Sequence, residues 1–210
     1  ELEFFKSMPE GIRKDAWFLT KVTMTGQERN PETGRYPLLN WDDPATNQKH
    51  PYWKKNIESS DWVFNYDDGY YETKGISSAS GKTRMIFRYA DILLLYAEAV
   101  AYGTKSIDDL AFDCMWRVQE RAGVPLISKD VTKEYFQKAV LDERRWETAG
   151  MEHSCMGRFF TMQRHEILHL QKNYRDAAEL SLNPNLTLSE EFYYFPIPDN
   201  ELLIVPGLKD

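Results

Sequence analysis

Two groups of residues in this chain have types and spacing that could do chemistry. The first is His165-Glu166-Ile167-Leu168-His169. It fits the zinc-hydrolase pattern His-Glu-x-x-His. On a helix, two histidines four residues apart can share a Zn²⁺ ion while the glutamate acts as general base on the metal-bound water. The second group is aromatic and polar: Asn40-Trp41-Asp42-Asp43 and Asp61-Trp62-Val63-Phe64-Asn65-Tyr66-Asp67-Asp68-Gly69-Tyr70-Tyr71. Flat aromatic faces beside hydrogen-bonding side chains can hold a ligand with apolar faces and a polar rim. Trp41, Asp43, Trp62, Asn65, Tyr66, Tyr70 and Tyr71 are the candidate ligand contacts. The plainer alternative makes Trp62 and Phe64 one face of a buried strand.

The zinc reading depends on its helix. Lys172 and Arg175 stand where a metzincin continuation needs Gly and a third His. In helical phase, Phe160, Ile167, Leu170 and Tyr174 form an apolar stripe. His165 and His169 fall opposite, with Arg158, Thr161 and Lys172, which points them toward solvent. Zinc-dependent peptide hydrolysis with His165 and His169 as ligands therefore stands only as an alternative, and the main reading needs no metal or cofactor. Asp67-Asp68-Gly69 lacks the alternating oxygen ligands of a calcium loop.

Composition narrows the classes. Six Trp, twelve Tyr and eleven Phe make up 14% of the 210 residues, and aromatics fill cores before they bind ligands. A net charge of −7 argues against nucleic acid, whose binding rests on Lys and Arg, and against an anionic lipid surface. There is no apolar run of about 18 residues that could span a bilayer. Spacing does not decide whether Cys114 and Cys155 pair; two buried free thiols are the expected state. The chain starts at Glu1 without a leader peptide, which suggests a mature or cleaved fragment.

The elements that must position these groups fall into two segments. Residues 1–83 are dense in Gly and Pro, show no helical period, and contain short strand-like pieces such as Trp17–Val22. Such a loop-rich stretch suits ligand-binding loops. Residues 84–210 are helical. Apolar residues at three- and four-residue steps predict a helix from about Arg84 to Tyr102, ended by Gly103. A second helix is expected from Ser106, with Asp109 three residues on in capping-box style, to just before Gly123. A third follows Thr132 and runs to near Thr148, and a fourth lies between about Cys155 and Tyr174. A strand-like Phe192–Phe195 comes near the end. The first two helices make an antiparallel hairpin with Ala-rich faces, as in tetratricopeptide-like units, although no repeat of about 34 residues is visible. Arg88 and Asp91 can pair on one helix face, and Glu143 and Glu147 share a face beside Arg144 and Arg145. Such charges are expected to satisfy one another as architecture. The two segments are expected to be parts of one larger domain.

Several stretches together resemble one family, the SusD/RagB family. Arg88-Tyr89-Ala90-Asp91-Ile92-Leu93-Leu94-Leu95-Tyr96-Ala97-Glu98-Ala99 is similar to its signature helix. Val118 and Arg121-Ala122-Gly123 match the end of its next helix. Leu141-Asp142-Glu143-Arg144-Arg145-Trp146-Glu147 matches its Glu-Arg-Arg-x-Glu helix, and Phe195-Pro196-Ile197-Pro198-Asp199-Asn200-Glu201 its terminal Pro-Ile-Pro-x-x-Glu. Pro9-Glu10-Gly11-Ile12-Arg13-Lys14-Asp15 resembles a family loop more weakly. The order and spacing of four motifs are far more specific than any one of them. The chain departs from the pattern where Ser154, Gly157 and Phe160 replace Arg, Asp and Arg, and where Val205 replaces Asn.

The resemblance is to the C-terminal portion of such proteins. It implies a mainly α fold, a tetratricopeptide-like helical scaffold with long irregular loops and short strands. It also implies non-catalytic capture of glycans at the cell surface and delivery to a SusC-like TonB-dependent transporter. The anchor would be a lipid on the outer membrane, attached outside this chain. A helical scaffold that binds only protein is a third reading.

Overall fold

A computed structural model describes residues 2–24, 27–46, 50–54, 62–65, 70–73, 86–150, 158–167, 177–182, 197–205 and 207. The structure is mainly helical with a few short strands, as expected. In order the elements are α1 (Leu2–Ser7), α2 (Ile12–Trp17), β1 (Phe18–Leu19), β2 (Lys21–Thr23), β3 (Leu38–Asn40), a 3₁₀ turn at Pro44–Thr46, β4 (Tyr52–Trp53), β5 (Trp62–Asn65) and β6 (Tyr70–Thr73). Then come α3 (Tyr89–Tyr102), α4 (Asp109–Ala122), α5 (Lys133–Glu147), α6 (Arg158–Arg164), α7 (Ala177–Leu182) and α8 (Asp199–Ile204).

The three long helices form where the sequence places them, with boundaries set by their caps. α3 starts at Tyr89 rather than Arg84. Arg88 is extended (φ −122, ψ 157), and its N–H donates to Asp91 Oδ2 at 2.9 Å. α4 starts at Asp109 rather than Ser106, because Asp108 is the cap and accepts from the Ala111 N–H at 2.8 Å. Thr132 caps α5 through the Tyr135 N–H at 3.2 Å. α4 ends on Gly123 in the left-handed region (φ 69). The Val124 N–H reaches Gln119 O and the Gly123 N–H reaches Glu120 O, a Schellman closure.

α3 packs on both α4 and α5. Leu94, Ala97 and Ala101 meet Ala111, Met115 and Val118 of α4 and Phe136 and Val140 of α5, all fully buried. The alanines are part of this buried contact and leave room for the larger side chains around them. Cys114 is a buried free thiol in this core. Cys155 and the strand-like Phe192–Phe195 lie outside the described residues.

The first segment differs from its sequence reading. α1 and α2 are helices, where no helical period is visible. Six residues are too few to display a period or to be stable alone, so tertiary contacts form them. Trp17–Val22 is not one strand: Trp17 ends α2, and β1 and β2 separate at Thr20. β1 pairs antiparallel with β4, β2 with β3, and β5 with β6. A second core of Met8, Phe18 and Ala149, with Phe4, Phe5, Trp17, Trp53 and Trp146 around it, joins this segment to the end of α5. The fourth helix, α6, falls within the span expected for it, and α8 forms where the sequence shows no helical pattern. No helix among the described residues is long and apolar enough to cross a membrane.

Candidate functional site

Trp41 follows β3 and is half-buried. Its backbone N–H donates to Thr20 O at 2.8 Å, and its ring meets Phe5 edge-on with centroids 6.0 Å apart. Thr46 Oγ1 donates to Trp41 O and to Asp43 O, each at 2.8 Å. Asp43 Oδ1 accepts from the Ala45 N–H at 2.8 Å, an Asx turn. Trp41 is thus pinned against the aromatic core, and Asp43 braces the turn that holds it. The β5–β6 hairpin carries four other candidates on its backbone, with Asn65 opposite Tyr70 and Phe64 opposite Tyr71. Trp62 lies opposite Thr73 at the far end of that register. Tyr66 lies outside the described residues. β6 runs beside β2, and β2 pairs with β3, which leads into Trp41. The backbone therefore brings the two candidate stretches into one region.

The His-Glu-x-x-His pattern does not lie on one helix. α6 ends at Arg164, and Glu166 is left-handed (φ 55). The Ile167 N–H reaches Met162 O at 2.9 Å and the Glu166 N–H reaches Gln163 O at 3.1 Å, the same Schellman closure as α4 but built without glycine. The helical spacing that would let His165 share a metal with a following histidine is lost at this turn; His169 lies outside the described residues. The phase reading also reverses. Thr161 is buried and Phe160 is exposed. The His165 side chain is only 13% exposed; its Nε2 lies 2.8 Å from Glu98 Oε1, and its ring stacks on Tyr102 with centroids 4.0 Å apart. A phase count that assumes an unbroken helix cannot see this early end.

Glu98 of α3 is buried among cations. Arg164 Nη2 donates to its Oε1 at 2.8 Å, and Arg144 Nε sits 2.7 Å from its Oε2. Burial pushes the Glu98 carboxyl up, but Arg144, then Arg164 and His165, outweigh it and hold it below the usual carboxylate range.

A second charge network joins the two segments. Glu147, at the end of α5, accepts from Arg88 Nη1 at 2.8 Å, Arg121 Nη2 at 2.5 Å and Arg13 Nη1 at 3.3 Å. Arg13 also donates to Glu143. Burial pushes the Glu143 carboxyl above its ordinary value, against the opposing pull of Arg13. Gln119 Nε2 approaches Glu143 at 3.4 Å, while its Oε1 accepts from the Ile127 N–H at 2.9 Å. Arg88 closes on Asp91 at 2.6 Å, the pairing read from the sequence. Sequence reasoning gave Arg13 no role, although the Pro9–Asp15 loop was the signal that could have found it.

Two glycines seal the same junction. A Cβ on Gly11 (φ 155) would lie 2.7 Å from the carbonyl oxygens of Ala122 and Gly123, and one on Gly123 would lie 3.2 Å from the Ile12 nitrogen. The Glu10-Gly11 loop and the Arg121-Ala122-Gly123 helix end therefore touch backbone to backbone. The Pro9–Asp15 loop, the start of α3, the end of α4 and the end of α5 form one packing unit, and the SusD family model matches residues 8–210. The chain belongs to the SusD family. A relative is the "SusD-like protein P25" of Formosa agariphila, 28% identical over 130 residues. That match covers 60% of this chain and 23% of the relative, so the chain spans less than a quarter of the relative's length. No solved structure matches. Of the positions that depart from the SusD pattern, Phe160 is exposed on α6 and Val205 follows α8; Ser154 and Gly157 lie outside the described residues.

Proposed function

We propose that this SusD-family chain serves non-catalytic capture of oligosaccharides or polysaccharides at the cell surface. The captured glycan passes to a SusC-like TonB-dependent transporter, and the protein is held on the outer membrane by a lipid attached outside these residues. The family match over residues 8–210 carries the reading. The charged motif residues support it in a second way. Arg13, Arg88, Arg121, Glu143 and Glu147 are engaged with one another, so ligand contact falls to the aromatic loops. Trp41 and the β5–β6 hairpin, with Trp62, Asn65, Tyr66, Tyr70 and Tyr71, are the contacts we assign. Segments 1–83 and 84–210 belong to one larger domain in this reading, supported by the Arg13–Glu143 pair and the Gly11–Gly123 contact.

The test is binding to a polysaccharide panel with product analysis. Retention of at least one glycan, unchanged in length, is expected. Trp62→Ala should weaken that retention. Trp41→Ala should weaken it too, with its unfolding midpoint measured alongside because the ring also packs on Phe5. Folded protein that binds no member of the panel would favour the protein-only scaffold instead. Shortened glycan products would make it an enzyme.

A further inference from the structure

The stretches assigned to ligand contact are acidic. Residues 40–43 and 61–72 contain Asp42, Asp43, Asp61, Asp67, Asp68 and Glu72, and no Lys, Arg or His. Asp42 is exposed beside Trp41, and Glu72 lies opposite Val63 in the β5–β6 ladder. β6 runs beside β2, and β2 pairs with β3, so the strand of Glu72 and the turn of Asp42 belong to one region.

Most described cations of the first segment are occupied elsewhere. Arg13 is buried against Glu143 and Glu147, and Glu10 and Met8 O hold the Lys14 ammonium. Arg29 lies over the Tyr36 ring, 4.5 Å from its centroid, and donates to Gly34 O. Lys54 Nζ reaches Asp15 O at 3.4 Å. Lys21 is exposed and opposite Asn40 in the β2–β3 ladder, one positive charge against the two of Asp42 and Asp43. Carboxylate and sulfate groups are held by Arg and Lys donors. Acceptor-only carboxylates flank the aromatic residues along this chain instead. They can accept from sugar hydroxyls, but they offer an anionic group no donor and repel it.

We propose that the aromatic site selects uncharged polysaccharides and excludes those that carry uronate or sulfate groups. The proposal rests on the glycan-capture reading above and adds the charge class of the glycan.

Titration calorimetry of the whole protein, in buffer with a chelator, tests it. The neutral probes are a β-glucan, a galactomannan and an arabinoxylan; the anionic ones are alginate, polygalacturonate and dextran sulfate. Charge effects are expressed at about 0.01 M salt, where the screening length is about 30 Å, and suppressed at about 1 M, where it is about 3 Å. At low salt at least one neutral polymer should bind and no anionic one should. Light carboxymethylation of the bound polymer should weaken it several-fold at low salt and far less at high salt. Asp42→Asn combined with Glu72→Gln should recover part of that low-salt loss. An anionic polymer bound at low salt as tightly as any neutral one would overturn the charge class and leave glycan capture standing. So would a loss on carboxymethylation that neither salt nor the double variant changes, which is a steric effect. Folded protein that binds no polymer of either kind removes glycan capture itself, and this proposal with it.

Discussion

Glu98 shows how one residue can hide a function that the sequence suggests elsewhere. Its carboxylate takes up His165, the first residue of a motif whose types promise zinc chemistry, and stacks the imidazole between itself and Tyr102. The charge assignment has a consequence for stability. Because Arg144, Arg164 and His165 hold the folded-state carboxyl below its unfolded value, Glu98 contributes stability that is fully present above about pH 4.3. That contribution is lost as pH falls through the lower folded value. Glu98→Gln should therefore be destabilised at neutral pH, and its difference from the parent protein should shrink below about pH 4. Urea unfolding at a series of pH values measures this; a difference that is flat with pH would refute it. Glu143 works in the opposite sense, since burial raises its folded value and its favourable share fades as pH rises through that value.

At the scale of elements, the junction of the α2 loop with the end of α4 is set by backbone. Gly11 presses on the carbonyls of Ala122 and Gly123, and neither of those can retreat without opening the Schellman closure of α4. Gly11→Ala adds both a clash and an unfavourable φ and should cost about 1–3 kcal/mol. Circular dichroism during denaturant unfolding would show it, and an unchanged midpoint would mean the loop can withdraw. The long helices were legible because caps and an alanine stripe are local signals. The early end of α6 was not, because Glu166 carries no mark of a left-handed residue. α1, α2 and α8 were not legible because six residues hold too little pattern.

Across the whole molecule, Glu147 gathers guanidinium groups from the first segment, from the start of α3 and from α4. Removing it leaves the fully buried Arg13 with only Glu143, so Glu147→Ala should cost about 3–5 kcal/mol. The two segments should also unfold together. Tryptophan fluorescence, which reports the aromatic core, and helix content should be lost at one common denaturant concentration in the parent and in Glu147→Ala. Two separated transitions would argue against one cooperative unit.

The amino-acid sequence alone determined the family and the three long helices, because ordered motifs, capping residues and apolar spacing act over a few residues each. It also determined that the motif charges would pair, since Arg88 with Asp91 is a contact within one turn. Only the tertiary structure decided which distant partners complete those pairs. Arg13 reaches Glu143 across 130 positions, a contact no local pattern encodes. It also decided that His165 turns inward, because the helix that would carry the zinc motif is ended by a backbone closure. The contact of the Trp41 ring with Phe5 likewise forms only in the tertiary structure. Whether an aromatic serves core or ligand depends on what packs against its ring, and Phe5 arrives from another part of the chain.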